Sequence, residues 1–514
     1  MNDARLRSGH QPLDEVLGGG LPGNGISIIM GLPGSGKTII AQQYTFHNAH
    51  PDRPVVYFST LSEPLEKIVR FGQTLDFFDA AAVGKSVFYE DLGQVAGRAG
   101  LAGVGDHVAA VLKDRRPGLV VIDSFKALRV LADGDAGFRQ FLHQLAGRLS
   151  AFPTASLWVG EYESGEVATS PEFAVADAIV ELAAVPLGQR EHRFLHVRKL
   201  RGSGFLSGQH GYRLTTQGLR LFPRLADIPA AGGYPLGDDR ITTGITALDT
   251  MLGGGVWPGS ATMIAGPSGS GKTMMGLHFI YGGAQRGEPG VIATLQENPT
   301  QLTRMLGGLG WPLTHPAVEV MYRSPVDIHI DEWVHDLLHA VEGAQARRVV
   351  IDSLMDLQMA AVDDTRFREF MYSLAQRFSR EGISLLITYE TPDLFRAGGQ
   401  SQFVVSHLAD NAIVLNYHRD HRVMSRSLAI AKTRASMSEA EAMIATPVRK
   451  MSRQESGSHL ERAKPAITNP RKARIRTVRR VRPFNFSMAA TIRAPQIDPA
   501  PEKTSNRVYV SGPL

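Results

Sequence analysis

Cysteine is absent from all 514 residues. That excludes disulfides, thiolate metal ligands and a cysteine nucleophile, and it fits a reducing compartment. Long apolar runs are absent as well: nothing approaches the roughly 18–20 residues of a membrane-spanning helix. The opening stretch Met1-Asn2-Asp3-Ala4-Arg5 has no apolar signal core. A cytoplasmic protein is expected. A broad basic surface is not expected either, although the formal net charge is +5. Between Arg449 and Arg482 stand 12 Lys/Arg against only Glu455 and Glu461, so the rest of the chain is net acidic. Nucleic-acid affinity rests on basic side chains that neutralise phosphates. It is expected only weakly here, through that basic stretch.

What is present is glycine, 53 residues of it, and much of it falls in a repeated pattern. Gly31-Leu32-Pro33-Gly34-Ser35-Gly36-Lys37-Thr38 returns as Gly266-Pro267-Ser268-Gly269-Ser270-Gly271-Lys272-Thr273. Both read G-x-x-x-x-G-K-T, a phosphate-binding loop. The glycines let backbone N–H groups converge on phosphates, the lysine reaches the β/γ-phosphates, and the threonine hydroxyl ligates Mg²⁺. An apolar run precedes each loop and a helix-forming run follows it. The flanks repeat too: Leu17-Gly18-Gly19-Gly20 with Pro22-Gly23, then Leu252-Gly253-Gly254-Gly255 with Pro258-Gly259. The separation is far longer than a solenoid period, so a duplicated domain is expected.

Further strands follow in the same order in each half. Leu119-Val120-Val121-Ile122-Asp123 and Arg348-Val349-Val350-Ile351-Asp352 place a carboxylate at the end of a buried strand, the pattern of a Walker B segment. Such an aspartate can support Mg²⁺ or cap a helix. Its place after a phosphate loop, twice, favours the metal. Strands alternating with helices imply an α/β fold with a mostly parallel sheet in each half. The expected division is 1–227 and 239–447 for the two domains, with a Pro/Gly-containing linker at 228–238. The remainder, 448–514, is expected to be a disordered basic tail: Arg471 to Arg480 carries six basic side chains and no acid.

These residues together resemble the KaiC family. The resemblance covers roughly residues 6–445 and implies two tandem RecA-like P-loop NTPase domains. It implies a two-tiered homo-hexameric ring with ATP and Mg²⁺ bound between subunits. In circadian members slow hydrolysis in one tier is coupled to Ser/Thr autokinase activity in the other. Carried over, Gly34, Ser35, Gly36, Lys37 and Thr38, with Gly269, Ser270, Gly271, Lys272 and Thr273, bind phosphates. Thr38, Asp123, Thr273 and Asp352 support the metal. Lys199 and Arg201, and Lys432 and Arg434, reach the nucleotide of the adjacent subunit. Read without the resemblance, the Lys-x-Arg residues are better taken as a pair of charges on one face of a solvent-facing strand edge.

Two departures stand out. Circadian members carry adjacent glutamates after the second strand, whereas this chain has Ser62-Glu63 and Gln296-Glu297. Glu63 and Glu297 remain as water-polarising carboxylates, or they merely open helices. The Ser-Thr acceptor pair is also missing after Ser406-His407, which counts against clock-type autokinase chemistry. Two functions stay open: a slow ring ATPase, with residual Ser/Thr autokinase activity still allowed, and a nucleotide-gated module that recruits a signalling protein. A RecA-like DNA recombinase is a weaker third.

Overall fold

The structure is a computed structural model. It describes residues 5–61, 64–187, 190–225, 239–361, 363–391, 409–420, 423–434 and 443–445. Ser62 and Glu63, the linker, Ser406-His407 and the basic tail lie outside the described residues.

The central strands form from apolar runs that are shielded on both faces, and partly buried strands complete each sheet. In the first repeat these are β1 (Ile26–Gly31), β2 (Val55–Ser59), β3 (Val87–Asp91), β4 (Leu119–Asp123), β5 (Ala155–Glu161) and β6 (Ala178–Leu187). They lie parallel, followed by antiparallel β7 (Arg190–Leu200), β8 (Gln209–Thr215) and β9 (Gly218–Phe222). The order across the sheet is β9-β8-β7-β6-β1-β5-β4-β2-β3. Period-2 alternation sends neighbours to opposite cores. Val55 and Tyr57 join Leu13, Ile40 and Tyr44 on one face, while Val56 and Phe58 join Phe125, Phe138 and Leu142 on the other.

The second repeat reproduces this plan. Its strands are β10 (Ala261–Gly266), β11 (Gly290–Thr294), β12 (Val318–Tyr322), β13 (Arg348–Asp352), β14 (Ser384–Glu390) and β15 (Asn411–Asp420). Antiparallel β16 (Val423–Thr433) and β17 (Met443–Ala445) complete it. The order is β12-β11-β13-β14-β10-β15-β16-β17. The edge strands β3 and β12 were not anticipated from the sequence. They carry Glu90, Asp91 and Glu319 and are only partly buried, so they lack the continuous apolar signature of a central parallel strand.

The β-rich end of the first repeat packs on helices of the second. Arg366, on the helix Asp364–Arg380, donates to Asp331 Oδ1 at 2.7 Å and to the Gln209 carbonyl at 3.1 Å. Its guanidinium also covers the Phe194 ring at 4.7 Å. Arg213 pairs with Glu332, and His335 Nε2 bonds the Pro223 carbonyl at 2.8 Å.

Candidate functional site

Both phosphate loops leave the carboxyl end of the central strand, β1 or β10, and run straight into a helix, α1 (Lys37–Asn48) or α2 (Lys272–Ala284). Ligands of open α/β sheets bind at this edge. The turn into the helix demands left-handed backbone: φ is 91° at Gly36 and 111° at Gly271, each the N-cap of its helix. Neither cap has a side-chain hydrogen bond, so the first-turn N–H groups stay available to an anion. A Cβ at Gly34 would meet nothing within 4 Å. The hollow in front of the first loop measures about 500 Å³ and is lined by Gly34, Lys37, Thr38, Lys67, Asp123 and Glu161.

The lysines are folded back onto their own loops. Lys37 donates to the Leu32 carbonyl at 2.9 Å, and Lys272 to that of Pro267 at 3.0 Å. Burial lowers both ammonium pKa values, opposed by Glu161 and Asp123 in the first repeat and by Glu390 and Asp352 in the second. Lys272 Nζ lies 3.6 Å from a Glu390 carboxylate oxygen. Buried Ser35 Oγ and Ser270 Oγ have no hydrogen-bond partner. Each is a polar atom within a phosphate loop that an incoming anion would satisfy.

The two aspartates do the same thing in both repeats. Thr38 Oγ1 donates to Asp123 Oδ2 at 2.9 Å, and Thr273 Oγ1 to Asp352 Oδ2 at 2.8 Å. Neither following helix has a side-chain cap bond at its N-terminus. The aspartates therefore face the phosphate loop and do not act as helix caps. The peptide bond after each is cis. Burial raises the Asp352 pKa, while hydrogen bonds from Thr388 and Thr273 pull the other way. Among the described residues no group of three or more His, Cys, Asp or Glu could cage a metal. One hydroxyl and one carboxylate still suit Mg²⁺, which keeps several waters and takes its other ligands from nucleotide phosphates.

Glu297 is not a helix opener. The helix Pro299–Gly307 is capped by Asn298, in a reciprocal box with Gln301. Glu297 precedes that cap, and its carboxyl pKa is raised by burial and by the charge of Asp352. Gln296, standing where circadian members have the first acid, donates to Asp356 Oδ2 at 2.9 Å. Ser353 Oγ donates to the same oxygen at 2.8 Å.

Each Lys-x-Arg sits at the opposite edge of the sheet from its own loop. Asp177, at the start of β6, accepts from the backbone N–H of Ile26, the first residue of β1, at 3.0 Å. Arg201 Nη1 reaches Asp177 Oδ1 at 3.2 Å, and Lys199 Nζ reaches the Phe173 carbonyl at 3.5 Å. The second repeat matches: Ala261 N bonds Asp410 at 2.9 Å, Arg434 lies 3.4 Å from Asp410, and Lys432 donates to the Ala409 carbonyl at 2.6 Å. A strand of six residues separates these basic groups from the loop, roughly 20 Å at 3.3 Å per residue. Burial lowers the Lys199 and Lys432 pKa values, as do the neighbouring Arg201 and Arg434.

Sequence reading missed four residues that complete these sites. Tyr57 donates to Asp123 Oδ2 at 2.7 Å, and Thr388 donates to Asp352 Oδ1. Glu161 and Glu390 face the lysines. The available signal was position: the two glutamates end strands β5 and β14 at the same edge as the loops, and Thr388 lies two residues before Glu390.

Fold and site define a tandem P-loop nucleotide-binding protein, with one loop on each of two equivalent α/β sheets. The family model described as "ATPase: KaiC" matches residues 6–226 and again 241–446. The chain belongs to the KaiC ATPase family. It is similar to the circadian clock oscillator protein KaiC of Picosynechococcus, at 26% identity over 453 residues, covering 84% of this chain and 86% of that one. It is also similar to circadian clock protein KaiC3 of Synechocystis, at 26% over 476 residues, covering 89% and 91%. No described helix is long and apolar enough to cross a membrane.

Proposed function

We propose that the chain is a slow, regulatory ATPase that assembles into a homo-hexameric ring, with ATP·Mg²⁺ at subunit interfaces of both domains. The observation carrying this reading is the geometry shared by the repeats. The loop, threonine and aspartate gather at one sheet edge, and Lys-x-Arg lies at the other. A cation that cannot reach its own nucleotide is suited to reach a neighbour's.

In this reading Lys37 and Lys272 leave their loop carbonyls to bind the β/γ-phosphates. The metal, when bound, neutralises charge on the transferring phosphoryl group. Glu297, and Glu63 by its equivalent place in the sequence, orient the attacking water and accept its proton. Arg201 and Arg434 stabilise the γ-phosphoryl charge across the interface, as planar, permanently charged donors. The domain limits 1–227 and 239–447 and the site roles above are part of the proposal. Ser/Thr autokinase chemistry is not, because the acceptor pair after Ser406-His407 is missing from the sequence. The names of the relatives support a timing role; a cytoplasmic location and a signalling partner are part of the proposal.

A second reading is favoured by Gln296, an amide where an acid is expected: a nucleotide-gated module that turns over little and recruits a signalling protein. Nucleotide titration with sedimentation in the presence and absence of ATP tests what both readings share. Two nucleotides per chain and an ATP-dependent ring are expected; one nucleotide, or a monomer at saturating ATP, would overturn both. Phosphate release then separates the two.

A further inference from the structure

A second cavity, of about 700 Å³, opens at the amino-terminal edge of the first sheet, away from the phosphate loop. Arg5, Asn24, His50, Arg53, Arg116 and Phe152 are among its lining residues, and among the described residues no acidic side chain lines it. Arg5 borders it, but its side chain runs over Gly19 and Gly20 toward Gly202; Arg53 and Arg116 supply the charge. Arg53 crosses the strand starts and donates to the Pro153 carbonyl at 3.2 Å. At the rim His50 lies 3.6 Å from Asp52, both largely exposed.

The second repeat supplies an internal control on the same backbone. Val55 pairs with Leu119 as Gly290 pairs with Arg348. Arg53 therefore corresponds to Glu288, and Arg116 to Gln345. Arg116 and Gln345 share a left-handed conformation, with φ of 45° and 49°. In the second copy the charges are consumed internally. Glu288 is bound by Arg348 at 2.6 Å. Arg240, the counterpart of Arg5, donates to the Leu252 and Gly255 carbonyls at 2.9 and 2.8 Å and covers Trp257. The first copy leaves the equivalent place cationic and open.

We propose that this cavity binds a small phosphorylated molecule, separately from the ATP sites. Guanidinium groups match phosphate geometry by paired donors, Phe152 and Pro153 offer an apolar wall, and the volume is that of a small-molecule pocket. It lies at the same edge as Lys199 and Arg201 and away from the chain's own phosphate loop, so its ligand is not the nucleotide that loop holds.

Isothermal titration of the full chain with inorganic pyrophosphate tests this, after both loops are filled with a non-hydrolysable ATP analogue and Mg²⁺. One additional site per chain is expected. Arg53→Glu with Arg116→Gln, which copies the second repeat, should weaken it by about tenfold or more and leave analogue binding unchanged. Arg116→Gln alone, at an exposed position, should weaken it partially. Absence of the extra site, or equal affinity in both variants, would overturn the proposal. So would tighter binding of a single-stranded oligonucleotide with the same dependence on these arginines, which would make the surface a nucleic-acid contact.

Discussion

In the proposed mechanism Glu297 is the residue on which the second site's chemistry turns. Its carboxyl lies beside Asp352 and out of the helix that follows, and Gln296 next to it cannot accept a proton. Glu297→Gln should lower turnover at the second site by about 10²-fold or more while nucleotide affinity changes little, because a water-orienting group acts in the transition state. Phosphate release in a Lys37→Ala background isolates that site. Equal turnover would remove Glu297 from the mechanism. The raised Glu297 pKa also fixes a direction in pH. In that mechanism the ionised form is the active one, and it protonates at a higher pH than an ordinary glutamate. The acid limb of the pH–rate profile should therefore lie above 4.5, the ordinary value for a glutamate, and disappear in Glu297→Gln.

At the level of elements, the contact between β8, β9 and the second repeat's helices holds charges out of water. Asp331 and Arg366 are both nearly buried. Burial raises the Asp331 pKa although Arg366 opposes it. Removing one partner strands the other, so Arg366→Ala should cost about 3–5 kcal/mol in denaturant unfolding. The double change Arg366→Met with Asp331→Leu should recover much of it; no recovery would mean that the pair's packing matters more than its charge. Close by, His210 uses both ring nitrogens: Nδ1 accepts from the Arg224 N–H at 2.9 Å and Nε2 bonds the Leu206 carbonyl at 3.0 Å. Protonation would break the first bond, and burial depresses the pKa to about 4. The unfolded chain then binds more protons between about 4 and 6.5, so stability should fall as pH drops through that window. Melting temperatures of wild type and His210→Gln across it test this; identical slopes would exclude His210.

These elements also mark what was legible in the sequence. The loops, the aspartate strands and the parallel sheets were readable, because a buried strand is a continuous apolar run and a phosphate loop tolerates few substitutions. The edge strands β3 and β12 were not, since their outer faces are polar. Tyr57, Thr388 and Asp356 were not, because their roles come from register between strands distant in sequence. Nothing in local composition separated Arg53 from any other surface arginine. Only comparison of the two copies in space did.

For the molecule as a whole, each copy of the domain holds two sets of groups at opposite edges of one sheet: the loop at one edge and the Lys-x-Arg pair at the other. Oligomerisation would bring them together, and ATP held between subunits would stabilise the assembly by linkage. The most direct test is complementation. Chains carrying Lys37→Ala with Lys272→Ala are mixed with chains carrying Arg201→Ala with Arg434→Ala, and phosphate release is compared before and after mixing. Each variant alone should be nearly inactive. Mixing should restore turnover, because some interfaces then join an intact loop to an intact arginine from the neighbour. Wild-type turnover in the arginine variant alone, or no recovery in confirmed mixed rings, would contradict catalysis across subunits.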